Sequence, residues 1–354
     1  MGKWTLWLLI ALGLLVNHIA GPLLGQNVWS ARTTTIGTVP PRLAKQERPM
    51  ANICKFDTSG HKVSIVTVEP GVQLEVLDWG GIGETLVLLA GLGDNVHVFD
   101  EFAYQFNDRF HVIGITRRGF GRSSQPVYGY DIETRARDDI AVLDKMNIRE
   151  AIFVGHSIAG TELNEIGAVY PDRVKKLVYL DALDLGAGGW AALPQPPPSP
   201  PDTAADLESV RRFAAANARF NGYRAPLAAI CNSIRTGPSG RVVAAITPPE
   251  ISRKIIAGLQ EAQYDRIQAP ALGIFNAITP DYRLPYYWYL DRATQEKFDR
   301  DIKPLAEWIA GAIQRFRTGV QNSRVIKLHD TNHYVFIVDE ALVVREMRKF
   351  LLEK

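Results

Sequence analysis

Hydrophobic positions follow several different rhythms along the chain. Residues 61–68 and 72–79 alternate apolar with polar around Pro70-Gly71, the period of a half-buried strand, and predict an antiparallel hairpin. The rhythm then becomes continuous: Thr85 to Ala90, His111 to Thr116, Ala151 to Val154 and Val174 to Leu180 are short apolar runs of the kind buried on both faces of a parallel sheet. Between them, Val98 to Phe106, Ile132 to Met146 and Ile158 to Tyr170 carry apolar residues at helical spacing and are expected to be crossover helices. The pattern stops at residues 193–201, where six prolines preclude both helix interior and sheet ladder. Helical segments follow at Ala204 to Asn217 and Glu250 to Gln263, and the strand pattern resumes at Ala271 to Phe275. A helix (Lys303 to Arg317), a strand (Ser323 to Leu328) and a helix (Glu340 to Leu352) complete the reading. These elements predict an α/β fold, a doubly wound and mostly parallel sheet, with a largely helical cap inserted at about residues 185–268.

The first 50 residues stand apart. Lys3 precedes the uncharged run Trp4 to Val16 and small residues up to Pro22, so residues 1–25 read as an export signal. No charge follows until Arg32, so the alternative is a signal anchor that keeps the protein on a membrane. Residues 26–50, rich in Thr, Pro and Arg, read as a linker, and residues 51–354 as the folded domain. Forty Lys and Arg against 38 Asp and Glu leave no global field to attract nucleic acid. The two cysteines, Cys54 and Cys231, match no metal-ligand spacing, so no metal or cofactor is expected. In an exported chain they can form one disulfide, a pairing that spacing alone leaves open.

The chemistry concentrates at residues 151–160, AIFVGHSIAG: a strand, a turn with small residues two before and two after Ser157, and an immediate helix. A serine at such a strained strand-to-helix turn projects its Oγ outward, next to the unpaired N–H groups of the helix start. Ser157 is the candidate nucleophile and needs a base. His333, between the last strand and last helix, is preferred to His329 at the strand end. The remaining histidines (18, 61, 97, 111 and 156) are read as having no role in the chemistry. A carboxylate should orient the imidazole. Asp281, after the strand Ala271 to Phe275, is the first choice and gives chain order Ser, Asp, His. Asp181, at the end of an earlier strand, is the rival acid, and Asp184 ranks behind both. The Gly91-Leu92-Gly93 turn suits an oxyanion site, with the amides of Leu92 and Ile158 as donors.

From about Val72 onward the chain resembles the α/β-hydrolase superfamily. The resemblance rests on Gly155-His156-Ser157-Ile158-Ala159-Gly160, Gly91-Leu92-Gly93, Arg118-Gly119-Phe120-Gly121-Arg122-Ser123-Ser124 and Asn332-His333-Tyr334. There are two departures. Ala90-Gly91 stands where the family often has His-Gly, which removes a hydrogen bond that braces the oxyanion loop, and Thr116-Arg117 stands where Asp is frequent. Dehalogenase and epoxide-hydrolase branches of the family use an aspartate nucleophile, which Ser157 argues against. The resemblance implies hydrolysis through an acyl-enzyme without a cofactor, and leaves the substrate open. The expected reaction is cleavage of a small apolar ester; the aromatic residues Trp190, Phe213, Phe220, Tyr223 and Tyr286 to Tyr289 either favour such a substrate or pack the cap on the core. Carbon–carbon bond hydrolysis and cofactor-free perhydrolysis use the same groups. A non-catalytic ligand-binding module is the reading outside enzymology.

Overall fold

The computed structural model describes residues 54, 60–184, 186 and 194–353. The leader, the linker and Trp190 lie outside these residues. An eight-stranded sheet organises the rest, in the spatial order β1-β2-β4-β3-β5-β6-β9-β10. Strands β1 (Lys62–Glu69) and β2 (Val72–Gly80) form the expected hairpin, with a positive φ at Gly71. β2 also pairs antiparallel with β4 (Phe110–Thr116). The neighbouring strands β3 (Glu84–Leu89), β5 (Ala151–His156), β6 (Val174–Leu180), β9 (Ala271–Ala277) and β10 (Ser323–His329) continue parallel to β4.

Alternate residues of these strands supply two cores, which is why their apolar runs are continuous. Leu86, Leu88, Ile152, Val154, Val178, Leu180, Leu272 and Ile274 face one side, against α7 (Val335–Val338) and α8 (Glu340–Leu352). Val87, Leu89, Phe153, Leu177, Tyr179 and Phe275 face the other. That side is covered by α1 (Ile132–Lys145), α2 (Ala159–Val169) and α6 (Arg292–Gly319). All the parallel strands therefore end at one edge, where ligand sites of open α/β sheets form.

Three expectations are corrected. Residues 98–106 form no crossover helix but two 3-10 turns, Val96–Phe99 and Ala103–Gln105. Phe99, Phe102 and Phe106 recur at intervals of three and four and are all buried, and His97 N–H donates to the Asn95 side chain at 3.2 Å to start the first turn. α6 begins at Arg292, well before Lys303, because Asp291 caps it through Thr294 N–H at 2.9 Å and the exposed Pro304 is tolerated within it. The segment between β6 and β9, expected to be largely helical, carries a strand pair and long irregular stretches besides its short helices. It holds α3 (Val210–Asn221), α4 (Leu227–Cys231), a hairpin of β7 (Ile234–Thr236) with β8 (Val242–Ala245), and α5 (Pro249–Ala257). Cys54 and Cys231 are bonded, tying the chain before β1 to α4.

Candidate active site

Ser157 occupies the turn between β5 and α2 with φ +56°, a left-handed conformation that costs a non-glycine residue of the order of 1–2 kcal/mol. The turn is enforced by its neighbours. A Cβ at Gly155 would lie 3.0 Å from Leu163 and 3.1 Å from Ala159, and one at Gly160 only 2.4 Å from the Ala182 carbonyl oxygen. The small residues thus let α2 close on both β5 and the chain leaving β6. Ser157 N–H donates to Leu180 O at 3.2 Å, which sets Ser157 beside the residue that follows β6.

That residue is Asp181. Its Oδ2 lies 2.6 Å from His333 Nδ1, and its Oδ1 accepts from Asn276 N–H at 2.8 Å. Asn276 also binds the loop carrying His333: its Nδ2 donates to Thr331 O (2.8 Å) and its Oδ1 accepts from Thr331 N–H (3.2 Å). The imidazole is thereby held at its base and its side. The preference for Asp281 over Asp181 as the partner of His333 is corrected. Asp281 is exposed on the loop after β9, and among the described residues only its N–H is engaged, with Thr279 Oγ1 at 3.2 Å. Asp184 points elsewhere, accepting from Gly186 N–H and Ala262 N–H. His329 is exposed at the end of β10. Ser157 Oγ and His333 Nε2 are both buried, and neither bonds to another described group.

His156, assigned no role from sequence, braces this arrangement. Its Nε2 lies 3.1 Å from the His333 carbonyl oxygen, which requires the proton on Nε2. Its ring sits 4.7 Å from those of His333 and Tyr334. Burial, helped by repulsion from His333, holds its pKa well below the ordinary histidine value, so it stays neutral. Its direct adjacency to the predicted nucleophile was the available sequence signal.

Leu92 and Ile158, the predicted oxyanion donors, are buried and share one small cluster with Phe120, Tyr130, Ile251 and Ile255. The two segments that carry them therefore lie side by side. Gly91 O accepts from Asp94 N–H at 3.3 Å, closing the turn, and neither Leu92 N–H nor Ile158 N–H is used in a turn or sheet bond among the described residues. Tyr334 OH donates to Asp94 Oδ2 at 3.0 Å and its ring stacks on Tyr223 at 4.0 Å. Burial pushes the Asp94 carboxyl up to about 6, against the lowering effects of Tyr334, His333 and Arg117. Asn95 Nδ2 donates to Ala229 O (2.8 Å) and Ser233 Oγ (2.9 Å), joining the turn to α4 and the residues after it.

Buried charges surround the turn. Arg117 donates from Nη2 to Ala90 O at 3.0 Å and from Nη1 to Gly91 O at 3.3 Å. Its Nε and Nη2 both reach Glu162 of α2 at 2.5 Å. The brace expected to be missing at Ala90-Gly91 is thus supplied by the arginine of the second departure. His97, in the first 3-10 turn, faces Asp100 (3.3 Å) and Glu75 of β2 (3.4 Å), and His61, just before β1, faces Asp100 at 2.9 Å. These residue types could hold a metal, but Trp79 Nε1–H also donates to Asp100 at 3.1 Å, and the group is knit together as a buried ion-pair network.

A family model described as alpha/beta hydrolase fold matches residues 84–228. A putative non-heme haloperoxidase of Mycobacterium phage D29 is 36% identical over 103 residues, covering 29% of this chain and 37% of that protein. A bifunctional esterase/perhydrolase of Acinetobacter calcoaceticus is 32% identical over 121 residues, 33% of this chain and 44% of the other. The chain thus aligns with less than half the length of these curated relatives. The crystal structure of E-2-(acetamidomethylene)succinate hydrolase superposes with a TM-score of 0.58 at 20% identity, covering 82% of this chain and 99% of that one. With the sheet order and the turn at Ser157, these likenesses show that the chain has the α/β-hydrolase fold.

Proposed function

We propose that this protein is a serine hydrolase that cleaves a small, apolar carboxylic ester through an acyl-enzyme. Ser157 Oγ attacks the carbonyl carbon while His333 Nε2 takes its proton; the carbonyl π electrons move to oxygen, and the Leu92 and Ile158 N–H groups donate hydrogen bonds to the oxyanion so formed. Collapse of this intermediate expels the alcohol, protonated by His333, and water then releases the acid by the same route in reverse roles. Asp181 fixes the tautomer, because a carboxylate on Nδ1 requires the proton there and leaves the Nε2 lone pair free to act as base.

The observation that carries the reading is the 2.6 Å contact between Asp181 and His333 Nδ1, with His333 Nε2 and Ser157 Oγ both buried and each without a hydrogen-bond partner among the described residues. The apolar character of the substrate is inferred from Leu92, Phe120, Ile158 and Ile251 around the oxyanion turn and from Tyr223 stacked beside the histidine loop. Replacing Ser157 by Ala should abolish hydrolysis of short p-nitrophenyl esters; a variant that keeps wild-type kcat would refute the mechanism.

A second reading is perhydrolysis, in which hydrogen peroxide takes the place of water on the acyl-enzyme and yields a peracid. It is favoured by relatives named as a haloperoxidase and as an esterase/perhydrolase. Peracid formation from acetate and peroxide separates it from simple ester hydrolysis. We also read the protein as exported, or held on a membrane by its N-terminal segment, since the Cys54–Cys231 bond suits an oxidising compartment. No helix among the described residues is long and apolar enough to cross a membrane. Cell fractionation tests this: recovery in the cytoplasm would contradict it.

A further inference from the structure

The reach of Arg117 has a chemical consequence, which rests on the ester-hydrolase reading above. The carbonyl of Gly91 and the N–H of Leu92 belong to one peptide group. A guanidinium hydrogen-bonded to that carbonyl, at 3.3 Å, draws electron density toward oxygen and makes the N–H at the other end a stronger donor. The same guanidinium holds Ala90 O at 3.0 Å, so the peptide cannot easily rotate away. Its other contacts, to Glu162 at 2.5 Å, anchor it to the first turn of α2, whose N-cap is Ile158. Arg117 therefore spans the two chain segments that carry the two oxyanion donors, and sets their separation.

We propose that Arg117, locked by Glu162, is a positioning residue of the oxyanion site, which orients and polarises the Gly91–Leu92 peptide toward the developing negative charge. It touches neither substrate nor reacting atoms. Charge balance suits the role. Arg135 Nη1 also donates to Glu162, at 3.2 Å, so one carboxylate serves two guanidinium groups. Burial and the neighbouring Glu162 push the carboxyl of Asp139 well above the usual carboxylate range, so it adds little negative charge. Arg117 and Glu162 themselves stay charged: burial opposes ionisation of each, and their mutual attraction outweighs it. The charged guanidinium of Arg117 therefore sits directly behind the peptide whose N–H faces the oxyanion, where low dielectric makes it effective.

The test compares Arg117→Met, Arg117→Gln and Arg117→Lys with wild type on short p-nitrophenyl esters and on a trifluoromethyl ketone. Such a ketone accepts Ser157 Oγ at its carbonyl carbon and retains the oxyanion, so its inhibition constant reports the oxyanion site directly. Removing one oxyanion donor outright costs about a hundredfold to a thousandfold in kcat, so weakening one donor should cost about tenfold or more. Arg117→Met should lose that factor in kcat with KM within about twofold, and its ketone affinity should fall by the same factor as kcat/KM. Arg117→Lys, which keeps the charge, should recover part of the loss; Arg117→Gln, which keeps one hydrogen bond, should recover less. If Met does not fold, the Gln and Lys pair carries the comparison, since both keep a donor toward Ala90 O and Gly91 O. A folded variant with unchanged kcat and ketone affinity, or a loss confined to KM, overturns the proposal while leaving the esterase reading intact. A wild-type protein that hydrolyses no ester and binds no ketone overturns both.

Discussion

At Asp181 the backbone takes φ +45°, a left-handed conformation that Asp and Asn adopt more readily than most residues. The kink lets one carboxylate accept from Asn276 N–H and meet His333 at the same time. Asp181→Asn keeps the shape but can present an N–H to Nδ1, favouring the wrong tautomer; kcat should fall by about ten-thousandfold, whereas Asp281→Asn should stay within about twofold of wild type. Equal losses in the two variants, measured on the same ester, would contradict the assignment. A second residue-scale prediction concerns pH. Burial opposes charge on His97, but hydrogen bonds and attraction to Asp100 and Glu75 outweigh it and raise its pKa to about 9; the His61 ring lies 5.0 Å from it. A raised histidine pKa adds stability below its unfolded value near 6.5, and that contribution is lost as pH rises through 9. Stability should therefore fall by about 1.4 kcal/mol per pH unit across that window. Guanidinium midpoints between pH 6 and 9 should show this slope in wild type and not in His97→Gln.

At the scale of elements, the site depends on which strand ends are neighbours. Chain order alone is satisfied by Asp281 and by Asp181; the difference lies in the sheet. β6 lies next to β5, so the residue after β6 emerges beside Ser157, while the loop after β9 carries Asp281 outward into solvent. Strand adjacency is a long-range property, and the local pattern of residues 271–285 does not encode it. The elbow was legible for the opposite reason: its demands are local, small residues at 155 and 159 around a strand-turn-helix. Gly160 extends that logic. An added methyl would meet the Ala182 carbonyl at 2.4 Å and push α2 from the segment carrying Asp181. Gly160→Ala should lose about 1–3 kcal/mol of stability, together with activity, in a denaturant titration paired with an ester assay. Wild-type stability and kcat in this variant would mean that the contact is slack.

For the whole molecule, the continuous apolar runs gave the doubly wound sheet because each strand feeds two cores. The inserted segment was less legible. Its hairpin strands span only three and four residues, too few for alternation to show, and its link to the rest is covalent as well as packed. The Arg117–Glu162–Arg135 group was equally hidden, since arginines and glutamates ordinarily belong on surfaces and become readable as a buried network only once β4, α1 and α2 are assembled. The Cys54–Cys231 bond closes a sequence separation of 177 residues, which in the chain-entropy picture is worth about 5 kcal/mol. Replacing both cysteines by serine should lower the guanidinium midpoint, and dithiothreitol should do the same to wild type but leave the double variant unchanged. Identical midpoints would mean that the bond does not constrain the fold.

The most direct test of the account is to trap the acyl-enzyme. Wild-type protein mixed with a slowly deacylated p-nitrophenyl ester should release a burst of about one equivalent of nitrophenol. Mass spectrometry of its peptides should then find the acyl group on Ser157. An acyl group on another residue, or steady turnover without any adduct, would contradict the account.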